Sequence, residues 1–191
     1  EEYLDTFTIP LYGHHMVMNA AAAIIASLQQ GVTLEKIKDL LPSFQNAKRR
    51  FAETIIGDTV IIDDYAHHPT EIRVTLEAVR QKYPTKKLTD VFRPTTYSRT
   101  AAFTREFAEA LSVADQAYIT PIVCDRENPA DYPPVSSEDI IALLPGSELI
   151  DETSINKLLS ARGGVVCFMG CATVSHLIEN FEAVLSTNKE V

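Results

Sequence analysis

Val60-Ile61-Ile62-Asp63-Asp64-Tyr65-Ala66-His67-His68-Pro69-Thr70-Glu71 is the stretch that decides how this chain folds. Its first residues are apolar and mostly β-branched, the composition of a buried strand. Two aspartates follow, and Pro69 then opens a strongly periodic helix. Proline suits the first helical position, where its missing N–H leaves nothing unpaired. Glu71 falls in the first turn, where its charge opposes the positive end of the helix. Two carboxylates, a phenol and two imidazoles are therefore held between a strand end and a helix start. In open α/β sheets that edge is where ligands bind.

The same alternation continues outward. Arg50 to Ile56 and Thr59 to Ile62 flank Gly57-Asp58, a hairpin turn. A helix from about Pro69 to Lys82 places Ile72, Leu76, Val79 and Tyr83 on one face. Then come a strand over Leu88 to Phe92, a helix near Ala101 to Leu111 and a strand over Gln116 to Ile122. A helix after Ser136-Ser137-Glu138, a short strand near Glu148 to Ile150 and a helix over Ser154 to Ser160 follow. The strand Val165 to Met169 and a last helix from about Val174, with Leu177, Ile178, Phe181 and Leu185 inward, complete the chain. Near-continuous apolar strands alternating with helices predict an α/β fold: a mostly parallel sheet covered on both faces.

Upstream the pattern differs. Phe7-Thr8-Ile9 reads as a short strand ended by Pro10. Met16 to Leu28 is a helix apolar almost all round, which demands neighbours on most sides. Gly31 stops it, and Thr33 caps a second helix that runs to Leu40 or Leu41 and ends at Pro42. These helices carry no sheet of their own and read as the tail of a larger domain. Without that domain, the apolar helix is expected to form a homodimer with a second copy or to be poorly ordered.

At 191 residues and 46% hydrophobic, the chain can bury one proper core. Its formal charge of −9 argues against non-specific binding to nucleic acid or an anionic membrane. The longest apolar run, Ala20 to Ala26, is too short to span a bilayer, and nothing resembles a signal peptide. Cys124, Cys167 and Cys171 are odd in number and lack a metal-ligand pattern, so Cys167 and Cys171 are read as buried and reduced. A cytoplasmic location follows as the default.

Asp64 is the first candidate for a functional side chain. A carboxylate just past a strand end can accept the hydroxyls of a ribose, or it can simply form an Asx turn. Tyr65 can stack on a base or pack at the rim. His67 and His68 are adjacent and cannot form an i, i+4 metal pair; spacing favours His68 as a helix cap and His67 as solvated. Arg93-Pro94-Thr95-Thr96-Tyr97-Ser98-Arg99-Thr100 lies on the same edge if the sheet is parallel. It is either an anion cradle or a capped loop. Lys48-Arg49-Arg50 reads as a solvated basic approach to a strand. Gly170 permits either a close approach to a ligand or a tight turn. The chain holds no G-x-x-x-x-G-K-S/T, G-x-G-x-x-G or G-x-S-x-G pattern and no zinc-ligand spacing, so it lacks a complete reaction centre and no catalytic or metal-binding residue is assigned.

Asp63-Asp64-Tyr65-Ala66-His67-His68-Pro69-Thr70-Glu71 resembles the D-D-Y-A/G-H-H-P-T-E signature of the alanine-adding Mur ligases, ATP-dependent enzymes of peptidoglycan synthesis. Val91 to Thr100 is similar to their V-F-Q-P-H-R/T-Y/F-S/T-R-T segment. Gly13-His14-His15-Met16-Val17-Met18-Asn19 resembles G-x-H-N/M-V-x-N, and Lys48-Arg49-Arg50-Phe51 resembles the R-R-F at a domain junction. The four motifs stand in family order.

The resemblance implies that residues 1–46 end a central ATP-binding domain and that 47–191 form a Rossmann-like C-terminal domain. His15 and Asn19 would then lie near the adenine, Arg50 would contact the nucleotide, Asp64 would hold the ribose and Tyr65 would stand beside it. His67, Thr96 and Arg99 would face the substrate end. The implied partners are ATP, Mg2+, L-alanine and UDP-N-acetylmuramate, joined through an acyl phosphate. The phosphate loop and most Mg2+ ligands would lie in the part of the central domain not in this sequence, so the chain alone is expected to be inactive and to bind ATP weakly or undetectably. A related ligase that recycles muramyl tripeptide shares these motifs. A non-catalytic nucleotide-binding or interaction module, binding ATP at micromolar levels, is the reading from another class. Arg93 stands in place of the family's glutamine and Thr95 in place of its histidine. Met169-Gly170-Cys171-Ala172-Thr173 replaces M-G-A-G-D, without its aspartate.

Overall fold

The computed structural model describes residues 3–124, 126–172 and 174–187. Two helices, α1 (His14–Gln29) and α2 (Leu34–Leu40), precede a sheet of β1 (Ala52–Ile56), β2 (Thr59–Asp64), β3 (Leu88–Phe92), β4 (Gln116–Ile119), β5 (Glu148–Leu149) and β6 (Val165–Met169). Helices α3 (Pro69–Lys82), α4 (Tyr97–Leu111), α5 (Ser137–Leu143) and α6 (Ser175–Thr187), with a 3-10 helix over Glu152–Ala161, connect or follow the strands. The strand order is β1-β2-β6-β3-β4-β5. Only the β1–β2 hairpin is antiparallel; β2–β6, β6–β3, β3–β4 and β4–β5 are parallel. The expected mostly parallel α/β sheet is therefore present.

Alternation within the strands builds two cores. Ile62, Leu88, Phe92, Cys167 and Met169 face α3, α4 and α5, while Ile61, Val91, Val166 and Phe168 face α6 and the 3-10 helix. Phe92 stacks on Phe107 of α4 at 5.0 Å, and Phe168 meets Phe181 of α6 at 6.1 Å. Each such fully buried side chain contributes about 1.5–3 kcal/mol. Asp90 of β3 departs from the apolar pattern: it is wholly buried, and neither carboxyl oxygen has a hydrogen-bond partner.

Several boundaries differ from expectation. Phe7 to Ile9 is not a strand, because no neighbouring edge pairs with it. Strand β4 stops at Ile119 rather than Ile122; beyond it Ser137 donates to the Thr120 carbonyl, and Pro121 has no N–H to offer a ladder. The expected helix over Ser154 to Ser160 is a 3-10 helix begun earlier, where Asp151 accepts the Thr153 and Ser154 N–H groups. Cys167 is buried as expected, whereas Cys171 is half-buried in the loop after β6; all three cysteines are free. Thr173 lies outside the described residues.

Helix α1 buries only Ile24; Val17, Met18 and Ile25 remain exposed. Its attachment to the sheet domain runs through the end of α3. Gln81 accepts the Gly13 N–H at 2.9 Å, and the Lys82 ammonium sits over the Tyr12, Phe51 and Tyr83 rings while pairing with Glu53 at 2.7 Å. Among the described residues no helix is long and apolar enough to cross a membrane.

Candidate functional site

The site forms where β2 and β3 end on either side of β6. Asp64 and Phe92 are both register partners of Met169, so the loops that follow them share one rim. Gly170 makes that proximity possible. A Cβ there would sit 2.9 Å from the Arg93 carbonyl, and its φ of +155° lies where side chains are rarely tolerated. Its close approach is thus to the chain itself.

Asp64 is almost fully buried and organises the first loop. Its carboxylate accepts the Phe51 N–H at 2.8 Å, the Ala66 N–H at 2.9 Å and the Thr75 hydroxyl at 3.3 Å. A carboxylate offers about four acceptor positions, so roughly one is left for a ligand hydroxyl. Burial raises its pKa, against the pull of these donors and of Arg50. Asx-turn and ligand roles therefore coexist in one side chain.

In the Lys48–Phe51 linker, read as a solvated basic stretch, Lys48 and Arg50 are exposed as expected, whereas Arg49 and Phe51 are docked on this loop. Arg49 and Phe51 adopt φ of 57° and 53°, conformations uncommon outside glycine. Arg49 Nη2 donates to the Gly170 carbonyl at 2.6 Å and the Ala172 carbonyl at 3.1 Å, and its Nε reaches Asp63 at 3.4 Å. Tyr65 donates its N–H to the Arg49 carbonyl at 2.8 Å. The Tyr65 ring lies 5.2 Å from the Arg49 guanidinium and 5.1 Å from that of Arg50. Sequence reasoning missed Arg49, since its carbonyl partners lie more than a hundred residues away.

A cavity of about 650 Å³ opens beside Asp64, and His15, Asn19, Arg50, Glu71, Thr75 and Lys82 are among its lining residues. Four of the five residues expected at a nucleotide therefore meet there; Tyr65 stands outside the lining. His15 Nδ1 is buried without a hydrogen-bond partner, and burial lowers the His15 pKa despite nearby Asp64, which keeps the imidazole neutral. A neutral orphaned ring nitrogen, two cations (Arg50 and Lys82) and a spare carboxylate position equip the cavity for a ligand that carries both hydroxyl and anionic groups. No group of three or more His, Cys, Asp or Glu able to hold a metal occurs among the described residues.

At the α3 start, His68 caps the helix as expected: its Nδ1 accepts the Thr70 N–H at 3.3 Å, and Glu71 accepts the His68 N–H at 3.2 Å. His67 is only partly solvated. Its Nδ1 lies 2.9 Å from the Tyr65 carbonyl and 3.3 Å from Glu71. A carbonyl only accepts, so Nδ1 carries the proton and Nε2 is the acceptor in the neutral ring.

The second loop also departs from expectation. Helix α4 begins at Tyr97, four residues before the predicted Ala101, and Thr96 takes φ 74° at its N-cap without a side-chain cap bond of its own. The Ser98 N–H and hydroxyl donate instead to Glu127, at 3.0 and 2.5 Å. The anion position at this helix start is thus filled by the chain's own carboxylate. Arg99 is half-buried, with Nη1 3.9 Å from Cys171 Sγ.

The description "Mur ligase, glutamate ligase domain" matches residues 49–171. The UDP-N-acetylmuramate–L-alanine ligase of Lactobacillus delbrueckii subsp. bulgaricus is 45% identical over 185 residues, covering 96% of this chain and 42% of that protein. The solved UDP-N-acetylmuramate-alanine ligase of Thermotoga maritima superposes with a TM-score of 0.77 at 24% identity, over 99% of this chain and 41% of that one. A murein peptide ligase from Psychrobacter arcticus superposes at 0.68 with 22% identity, over 97% of this chain and 40% of that one. The chain thus spans about 42% of the length of the curated relative it matches. With its signature loop on β2, its linker docked on Asp64 and its sequence matched across both, the chain belongs to the Mur ligase family.

Proposed function

We propose that this chain is part of an ATP-dependent ligase that joins L-alanine to UDP-N-acetylmuramate in cytoplasmic peptidoglycan synthesis. In this reading residues 1–46 end the ATP-binding domain and 47–191 form the domain that closes over the nucleotide and the acceptor. The observation that carries it is the shared rim: Asp64 and Phe92 flank Met169, with the nucleotide-type cavity beside one loop and Thr96 and Arg99 on the other.

ATP is held by its nucleoside end. Neutral His15 and Asn19 meet the base, Asp64 accepts one ribose hydroxyl, and Arg50 faces the phosphates with Tyr65 stacked beneath its guanidinium. When bound, ATP supplies the phosphoryl group that activates the muramate carboxylate. The chain's share is orientation and charge. Arg99 offsets the amino acid carboxylate, Thr96 supplies a hydroxyl, and His67 presents Nε2 as an acceptor toward the amine. Among the described residues no group of three or more His, Cys, Asp or Glu could hold Mg2+, whose ligands in this reading come mainly from the central domain.

By itself the chain is expected to cover Val17, Met18 and Ile25 against a second copy, as a homodimer visible by sedimentation. The functional test is phosphate release by the full-length polypeptide. Release that requires both UDP-N-acetylmuramate and L-alanine supports the reading. Release with the free tripeptide in place of L-alanine assigns the recycling reaction instead.

A further inference from the structure

We propose that Glu127 is a positioning residue for the acceptor end of the site, capping α4 from a distant loop and so holding Thr96 and Arg99 at the rim. The inference rests on the reading of that rim given above.

A helix start leaves several N–H groups without intrahelical partners, and the N-cap side chain normally supplies the acceptor. Thr96 stands at that position, yet its hydroxyl makes no cap bond. Its backbone is at φ 74°, a conformation costly for a β-branched residue. The acceptor comes from 29 residues downstream: both Glu127 oxygens meet Ser98, one at its N–H and one at its hydroxyl. Cys124 Sγ also points at Glu127, at 3.9 Å. The same loop is stitched to the rim by Val123, whose N–H donates to the Pro94 carbonyl at 3.1 Å.

Three consequences converge on the acceptor site. The strained Thr96 is paid for from outside its own segment. Arg99 sits in the first turn that Glu127 anchors, so its guanidinium direction depends on that anchor. The Thr96 hydroxyl is left for a ligand, except for a long 3.5 Å approach of the Ser98 hydroxyl. Glu127 touches none of the groups assigned to nucleotide, so its effect should be confined to the acceptor.

In the full-length polypeptide, Glu127→Ala is expected to raise KM for L-alanine about tenfold, as misplaced positioning groups do, with KM for ATP unchanged and Tm lowered only modestly, as the loss of one helix cap implies. Glu127→Gln, which keeps one acceptor oxygen for Ser98, should recover part of the loss. Amide exchange at Ser98 in the labelled chain should quicken in the alanine variant. If exchange quickens while KM for L-alanine stays put, or if both KM values rise together with a fallen Tm, the proposal is overturned. An Arg99→Ala control separates the two levels. Should it raise KM for L-alanine while Glu127→Ala does not, the inference alone fails; should it leave KM unchanged, the functional reading of the rim fails. If the alanine variant does not fold, the glutamine variant carries the same comparison, with a smaller rise expected and no rise overturning the proposal.

Discussion

The Asp64 carboxylate accepts the Phe51 backbone N–H at 2.8 Å, tying the left-handed linker residue to the end of β2. Asp64→Asn keeps the shape but turns one acceptor into a donor facing an N–H or hydroxyl. Leaving a buried donor unmatched costs about 1–3 kcal/mol. Urea denaturation should register that loss, and nucleotide binding should weaken with it.

Arg49 makes a second tie, to the Gly170 and Ala172 carbonyls. Lysine cannot reproduce a planar fork that reaches two carbonyls and a carboxylate together. Arg49→Lys should therefore destabilise the chain by about 1.5–3 kcal/mol, the range for hydrogen bonds to charged groups. Near-ultraviolet dichroism should report a freer Tyr65 ring.

Gly170→Ala places a methyl 2.9 Å from the Arg93 carbonyl, a contact that only backbone movement relieves. A cost of about 1–3 kcal/mol is expected, by analogy with overpacking. Because the β3 loop must shift, binding of the acceptor amino acid should weaken more than binding of nucleotide.

Buried Asp90 predicts a stabilising substitution. Burial pushes its pKa well above 3.8, and the Val91 N–H, which pulls the other way, does not reach either oxygen with ordinary hydrogen-bond geometry. Folded Asp90 therefore holds a proton that the unfolded chain releases above about pH 4. The folded state binds more protons in that window, so this group's contribution falls as pH rises, until the folded pKa is passed. Asp90→Val should be more stable than the parent, with a gap that is smallest below pH 4 and widens upward. Denaturation midpoints across pH check both the sign and the trend.

The sheet was legible because its strands are apolar runs broken by strong helix starts: Pro69–Lys82, Leu88–Phe92 and Val165–Met169 stand where the pattern puts them. The His68 cap was legible for the same reason, since its partners are two and three residues away. What stayed hidden depends on distant partners. The early start of α4 needs Glu127, the docking of Arg49 needs the loop after β6, and nothing in Leu88–Phe92 marks Asp90 as facing a core. Expected residues His15, Asn19, Arg50 and Asp64 meet in one cavity because α1 is clamped to the end of α3, a contact with no local signal.

Whether that cavity takes a nucleotide is measured most directly by titrating the isotopically labelled chain with ADP. The account predicts saturable shifts at His15, Asn19 and Phe51, with weak, millimolar affinity that Arg50→Ala lowers further. Shifts gathered at Tyr97 to Arg99 instead, or tight binding indifferent to Arg50→Ala, would contradict it.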